Sequence, residues 1–325
     1  MVQQKSRIVL ALGGNALQAN PKDTSAEAQL KTSIETAKSI ADLIETGHEV
    51  IIAHGNGPQV GQIVGTYEAA QQGNPALPVM PFPECGAMSQ GYIGYHLQQA
   101  IRQELVNRGI NKSVATVVTQ VVVDEKDTAF DNPTKPVGSF FSEDEAKRLM
   151  MEEGYAMKED SGRGWRRVVA SPEPIDVVEA PVVKTLVDAG HVVITVGGGG
   201  VPVINKNGIL EGVPAVIDKD FASGKIAEIL DADFLLILTA VEKVAINFNT
   251  PDQKELDEVT IEELETYIRE GHFAPGSMLP KVKAAMKFVK SKPGRRALIT
   301  SLEKAKEGIA GETGTVVVDH KLTRI

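Results

Sequence analysis

Among the 325 residues there is a single cysteine, Cys85, which excludes an intramolecular disulfide and any zinc site built on clustered cysteines. Long apolar runs are missing too. The longest aliphatic-rich stretch, Phe234 to Val241, is eight residues, too short to cross a bilayer. Near the N-terminus Ile8 to Leu12 is shorter still, and Gly-Gly-Asn follows it rather than a small-residue cleavage site, so no signal peptide is expected. Basic charge is in short supply, with 34 Lys and Arg against 43 Asp and Glu and a formal net charge of −9. A nucleic-acid binder normally carries a basic excess or a basic stripe, and neither is seen. These absences predict a soluble, cytoplasmic protein with neither nucleic acid nor membrane as partner. If its substrates are anions, a few local cations and backbone amides must hold them against the overall field.

What is present is the balance of a globular chain, 42% hydrophobic and 24% charged. At this length roughly three quarters of the surface can be buried, so no metal or disulfide is needed as a staple. Short β-branched runs alternate with longer amphipathic stretches, the pattern of a parallel sheet covered by helices. Strands are expected at Arg7 to Leu12, Glu49 to Ala53, Val114 to Val123, His191 to Val196, Phe234 to Thr239, Ala297 to Thr300 and Thr315 to Val318. Helices are expected from a Thr24/Glu27 capping box to near Gly47, then at Gln59 to Ala70, Ser89 to Asn107, Ala180 to Asp188 and Phe221 to Leu230. Two more follow, Ile261 to Glu270, capped by Thr260 and Glu263, and Lys281 to Val289. The fold class this predicts is α/β, a three-layer α/β/α sandwich with a mainly parallel central sheet. Residues 124 to 168 break the rhythm and hold five aromatics, Phe130, Phe140, Phe141, Tyr155 and Trp165. That enrichment argues for a small packed protruding subdomain rather than a structureless loop. Joined to the body at Asp124 and Val168 alone, such a module is expected to move as a lid.

Four strands end in glycine-rich or polar turns: Gly13-Gly14-Asn15, His54-Gly55-Asn56-Gly57, Gly197-Gly198-Gly199-Gly200, and Ala240-Val241-Glu242 after Thr239. In an open parallel sheet, ligands bind outside the carboxyl ends of the strands, where all four turns should lie. Glycine lets the backbone approach a ligand and turn its N–H groups inward, which suits phosphate oxygens; tight strand-to-helix connection is the plainer alternative for any one of them. No G-x-x-x-x-G-K-[ST] occurs, and Gly13-Gly14-Asn15-Ala16-Leu17 is not G-x-G-x-x-G, which weakens a dinucleotide reading. No H-E-x-x-H or acidic calcium loop suggests a protein-only metal site. Among the cations, Lys135 lies between Pro133 and Pro136, Lys219 begins a helix between Asp218 and Asp220, and Lys281 follows Pro280 at another helix start, beside which an anion would be well placed. Spacing alone leaves Lys135 and Lys219 readable as surface lysines and Asp218 or Asp220 as a cap. It leaves His54 as a hydrogen-bonded strand end, and Met278 with the Met150-Met151 pair as packing.

In order and spacing, these segments resemble the carbamate kinases, a branch of the amino-acid kinase superfamily, almost from end to end. The resemblance is carried by Ala11 to Leu17, His54 to Gly61, Asn132 to Gly138, Gly197 to Val203, Val216 to Ser223 and Phe273 to Lys281. Thr128 stands where the family pattern has proline and Leu279 where glycine is common, and neither departure removes a charge. Acetylglutamate kinase and similar enzymes carry a phosphate-binding lysine just before the first Leu-Gly-Gly, at the site occupied here by Ala11.

The resemblance implies an amino-acid kinase fold. Residues 1–190, including the protruding subdomain 124–168, would form the carbamate side, and residues 191–325 the nucleotide side. It implies reversible phosphoryl transfer between ATP and carbamate giving ADP and carbamoyl phosphate, run toward ATP in arginine or related catabolism, with Mg2+ on the nucleotide and a homodimer as the assembly. Lys135, Lys219, Asp220 and Lys281 would be catalytic, with Lys135 supplying the charge missing at Ala11. Gly13, Gly14, Asn15, Gly55 and Asn56 would cradle carbamoyl phosphate. Gly197, Gly198, Lys219, Thr239, Val244, Pro275, Met278 and Lys281 would meet the nucleotide. The alternatives are a sibling kinase for an amino acid or nucleoside monophosphate, a non-catalytic nucleotide or anion sensor, and, more distantly, a dinucleotide oxidoreductase. Retention of all three lysines speaks against the sensor.

Overall fold

The computed structural model describes residues 5–20, 22–160 and 162–320. Strand β1 (Arg7–Leu12) leads to α1 (Ala26–Glu45), β2 (Glu49–His54), α2 (Gly57–Gly73) and α3 (Phe82–Asn107). Two short strands, β3 (Val114–Thr116) and β4 (Gln120–Val122), precede a projecting module of β5 (Lys135–Phe141), α4 (Glu143–Glu152), β6 (Met157–Glu159) and β7 (Trp165–Val169). The body resumes with β8 (Asp176–Val177), α5 (Ala180–Asp188), β9 (Val192–Ile194) and the hairpin of β10 (Val201–Lys206) and β11 (Ile209–Gly212). Helix α6 (Lys219–Ile229) and β12 (Phe234–Thr239) follow, with a ribbon of β13 (Ala245–Ile246) and β14 (Lys254–Glu255). Then come β15 (Glu258–Thr260), α7 (Ile261–Arg269), α8 (Met278–Lys290), β16 (Arg296–Ser301), α9 (Ala305–Ile309) and β17 (Thr315–Val318).

The central sheet has eight strands in the order β15-β17-β16-β12-β1-β2-β9-β3. From β16 to β3 every neighbouring pair is parallel, and β17 runs antiparallel to β16. Because side chains alternate across a strand, the sheet feeds two cores. Ile8, Leu10, Leu12, Ile52 and Leu236 point toward α1, α3 and α9, packing with Ile40, Leu97, Ile101 and Ala305. Val9, Ala11, Ile51, Leu235 and Ile237 point the other way, toward α5, α6, α7 and α8, packing with Val183, Ile226, Leu264 and Phe288. Burial on both faces explains why these strands read as unbroken apolar runs, and the three-layer, mainly parallel expectation holds. β9, though late in the chain, sits among the N-terminal strands, between β2 and β3.

Several local expectations are corrected. The run Val114 to Val123 is two strands: β3 edges the central sheet, whereas β4 belongs to a four-stranded sheet, β11-β10-β4-β8, that the sequence pattern did not suggest. The break is held at buried Thr119, whose N–H donates to Gln90 and whose hydroxyl lies 2.8 Å from that of Thr195. The cap of α1 is Ser25, whose Oγ accepts from the Ala28 N–H at 3.2 Å. With the helix starting at Ala26, Glu27 falls one position short of the capping-box site, so Thr24 and Glu27 form no box. Helix α3 starts at Phe82 rather than Ser89, with Pro83 in its first turn, where its missing N–H costs nothing. The Thr260/Glu263 capping box of α7 is as expected. Met151 is 80% exposed and so is no packing residue.

The module is a three-stranded sheet, β5-β7-β6, with α4. It begins at Lys135 rather than at residue 124, since Phe130 packs against the main core. Nor is it joined to the body only through its two chain ends. Val137 and Val169 bury against Val60 and Val64 of α2 and Phe82 and Cys85 of α3. Gly61 of α2 lies against Gly138 of β5, where a Cβ would be 3.4 Å from the Gly138 Cα, in contact with it.

The 197–200 turn is the tightest point of the fold. Gly199 has φ +93°, and a Cβ there would come within 2.1 Å of the Ile217 carbonyl oxygen. Gly199→Ala should therefore lower unfolding free energy by more than about 2 kcal/mol. An unchanged urea midpoint would show that the turn accommodates a side chain.

Candidate active site

Because β12, β1, β2 and β9 are adjacent and parallel, their carboxyl ends bring the four expected turns to one edge. After β1 the chain winds into a tight turn, with the N–H groups of Ala16 and Leu17 donating to the carbonyls of Gly13 and Gly14. Only glycine sits comfortably at 13, since a Cβ would be 3.2 Å from the Leu238 carbonyl at the end of β12. The Gly55 N–H donates to the Leu12 carbonyl at 3.2 Å, tying the second turn to the first strand. Asn56 then begins α2, and its Nδ2 donates to the Ser89 Oγ at 2.8 Å, which fixes the side chain. The open N-terminus of a 17-residue helix thus faces the same edge, a favourable place for an anion.

The charged centre comes from α6 and α8. Asp218 caps α6, its Oδ1 accepting the Asp220 N–H at 2.9 Å. Asp220 is therefore not the cap, and its carboxylate points into the protein. There Oδ1 accepts from Lys219 Nζ at 2.5 Å and Oδ2 from Lys281 Nζ at 2.9 Å. Lys219 is not a solvated surface group. Its stem crosses Gly55, where a Cβ would lie 3.2 Å from the Lys219 Cδ. Burial pushes the Asp220 carboxyl upward, yet Lys219 and Lys281 outweigh it and hold the group below the usual carboxylate range. Burial lowers the Lys219 pKa, with Asp220 offsetting part and Lys281 adding to the fall. Lys135 reaches this edge from the module, its Nζ donating to Asp218 Oδ2 at 2.9 Å.

Two cavities meet at Thr239 and Ala240. One, of about 390 Å³, has mixed walls and is lined by Gly13, Gly14, Asn15, Lys219 and Lys281 among others. The other, of about 570 Å³, is lined by Val241, Phe248, His272, Phe273 and Met278 among others. A cleft walled by two lysines and glycine backbone, opening into a larger and more apolar pocket, suits the two ends of a nucleotide.

Of the residues expected to meet the nucleotide, Thr239, Lys219, Lys281 and Met278 line these cavities. Val244 does not: it is 1% exposed, a core residue beneath the pocket. Pro275 is exposed on the neighbouring loop and outside the lining. Gly197 and Gly198 face inward. A Cβ on Gly197 would strike His54 at 2.4 Å, and one on Gly198 would strike Asn56 at 2.2 Å, so their smallness serves close packing behind the second turn. Sequence reasoning missed Phe248. Asn247 and Asn249, at φ +52° and +59°, turn the chain on either side of it, and its ring stands 55% exposed at the pocket. The Asn-Phe-Asn triplet was the available signal.

Known proteins resemble this chain along nearly its whole length. The amino acid kinase family model matches residues 6–301. A carbamate kinase of Clostridium perfringens is 61% identical over 312 residues, covering 96% of this chain and 99% of that protein. The carbamate kinase-like protein YqeA of Escherichia coli is 59% identical over 96% of this chain and 98% of its own length. A solved structure of Giardia lamblia carbamate kinase bound to AMP-PNP superposes with a TM-score of 0.91 at 42% identity, covering 98% of this chain and 99% of that one.

His54 offers a direct check on the packing of the edge. Its Nδ1 lies 2.8 Å from the Gly55 carbonyl oxygen, which can only accept, so Nδ1 carries the proton. Nε2 is buried without a partner. Burial drives the pKa to about 4, Lys219 adding to the fall and the Gly55 carbonyl opposing it. A histidine neutral when folded but protonatable when unfolded contributes fully above its unfolded pKa. That contribution is lost as pH falls from about 6.5 toward about 4. Between pH 7 and 5, wild type should lose about 2 kcal/mol more unfolding free energy than His54→Asn. Equal losses in urea titrations at the two pH values would place His54 in a wetter setting than described.

Proposed function

The chain belongs to the amino acid kinase family, among its carbamate kinases, and from that premise we propose how its site moves a phosphoryl group between ATP and carbamate. The chain is a phosphotransferase, and the observation that carries the site assignment is the Lys219–Asp220–Lys281 cluster. It shares a cavity with the Gly13-Gly14 turn, and that cavity adjoins a second, more apolar one at Thr239 and Ala240.

Phosphoryl transfer asks little covalent work of a protein; positioning and charge stabilisation do most of it. In the direction of ATP synthesis, a β-phosphate oxygen of ADP attacks the phosphorus of carbamoyl phosphate. The P–O bond to the carbamoyl group breaks, and its electron pair leaves on the carbamate oxygen. Three anionic groups must meet. Lys219 and Lys281 are assigned to the nucleotide phosphates, and Lys135 to the phosphoryl group in flight. The backbone at Gly13, Gly14, Asn15, Gly55 and Asn56, with the start of α2, is assigned to carbamoyl phosphate. Asp220 orients the two lysines and is not a base: its oxygens already hold two ammonium groups, and carbamate's oxygen needs no deprotonation. The pocket at Phe248, Phe273 and Met278 would take the adenine. The AMP-PNP held by the Giardia relative is a nucleotide of the same kind.

Magnesium would enter with the nucleotide phosphates and supply charge neutralisation there. Among the described residues no group of three or more His, Cys, Asp or Glu side chains gathers to hold a metal, and Asp220 is occupied by its lysines. The residues therefore fit an ion carried in on the nucleotide. Operation toward ATP in arginine or related catabolism, a homodimeric assembly and a cytoplasmic location complete the reading, on the family resemblance. No helix among the described residues is long and apolar enough to cross a membrane. The division into a carbamate side before residue 191 and a nucleotide side after it is likewise proposed.

Purified protein supplied with ADP, magnesium and carbamoyl phosphate should form ATP, and its absence would remove the reading. In that assay Lys281→Ala should cost about 100- to 1,000-fold in rate, the usual consequence of losing a charge aimed at a transferring group. Turnover within a few-fold of wild type would return Lys281 to a structural role. Lys135→Ala should depress transfer far more than it weakens ADP binding measured by calorimetry, because Lys135 approaches from the module rather than from α6 or α8. Lost ADP binding with turnover retained at saturating ADP would reverse that assignment.

A further inference from the structure

We propose that Asp218 is a positioning residue for transfer, its carboxylate docking Lys135 at the catalytic edge before substrate arrives. The proposal rests on the role given to Lys135 above and adds a residue not otherwise assigned to the site. The two oxygens of Asp218 do different jobs. Oδ1 accepts the Asp220 N–H and so sets the first turn of α6, from which both Lys219 and Asp220 project. Oδ2 accepts from Lys135 Nζ at 2.9 Å, across 83 residues of chain. One side chain thus ties the module's cation to the element that carries the buried cluster.

The backbone of Lys135 is already placed. It pairs with Val169 in the module sheet, and Val137 two residues on is buried against α2 and α3. The remaining freedom is the four-carbon side chain, which is 36% exposed. A flexible ammonium free to wander in water would have to be ordered at each turnover; held on a carboxylate, it is ordered in advance. Asp220 does the same for Lys219 and Lys281. The two carboxylates, two residues apart at one helix start, thereby hold three cations near one another despite their repulsion.

Asp218→Asn separates the two jobs, because its amide oxygen still accepts the Asp220 N–H whereas the charge facing Lys135 is gone. The variant should keep the wild-type melting temperature and ADP affinity while its turnover number falls roughly 10- to 100-fold. In a Lys135→Ala background the same change should cost no more than about twofold further, since the residue it positions is absent. Two results would overturn the proposal. One is an Asp218→Asn turnover number within about twofold of wild type. The other is a loss of the same size with and without Lys135, which would mean that Asp218 acts on the helix or the other lysines. If Asp218→Asn does not fold, Asp218→Ser, which also caps, is read by the same criteria. A Lys135→Ala variant as fast as wild type would instead defeat the assignment of Lys135 itself, and this proposal with it.

Discussion

Asp220 lies between two ammonium groups, Lys219 at 2.5 Å and Lys281 at 2.9 Å, with 3% of its side chain exposed. Three charges in so dry a place are costly to desolvate, and each is tolerable only while its partners are present. The surroundings serve that condition. Asp218 caps α6 so that residue 220 turns inward, and Gly55 leaves room for the Lys219 stem. Met286 and Phe288 help seat α8 in the same core as α6, which keeps Lys281 within reach. A hydrophobic cluster would be easier to bury. The gain from the charged one is a net positive centre at the carboxyl edge of the sheet, the charge that the proposed phosphate site requires.

Ala11 occupies the core rather than the catalytic edge. It is wholly buried in β1, paired with Ala53 of β2 and Ile237 of β12, and its methyl lies in the core shared with α6 and α8. At this position the strand contributes packing and no charge. Lys135 stands on the edge strand of the module sheet, which is seated over α2 through contacts between Val137, Val169 and the helices beneath. Its position depends on tertiary docking rather than on the central sheet, and any opening of the module must break an apolar contact as well as the ion pair with Asp218.

Much of the fold was legible because the strands are buried on both faces. Phe234 to Thr239 and Thr315 to Val318 appear with the expected ends, as do Arg7 to Leu12 and helix Ala180 to Asp188. Legibility failed where hydrophobicity continued but direction changed. Val114 to Val123 is rich in β-branched residues from end to end, yet it serves two sheets, and the switch is stabilised by Gln90 and Thr195, distant in sequence. It failed again at the 197–200 turn, where glycines that look poised for a ligand are small because His54 and Asn56 press against them.

The sequence by itself determined the alternation of buried strands and amphipathic helices, and hence that the turns after β1, β2, β9 and β12 would share an edge. Local pattern suffices for that, since a parallel sheet orders its strand ends automatically. Which aspartate caps and which pairs, that Lys135 meets Asp218 across 83 residues and Lys281 meets Asp220 across 61, and that Phe248 rather than Val244 faces the pocket were decided only by the tertiary structure. Those outcomes turn on the direction in which a side chain leaves its element and on how elements cross, and no local run of residues encodes either.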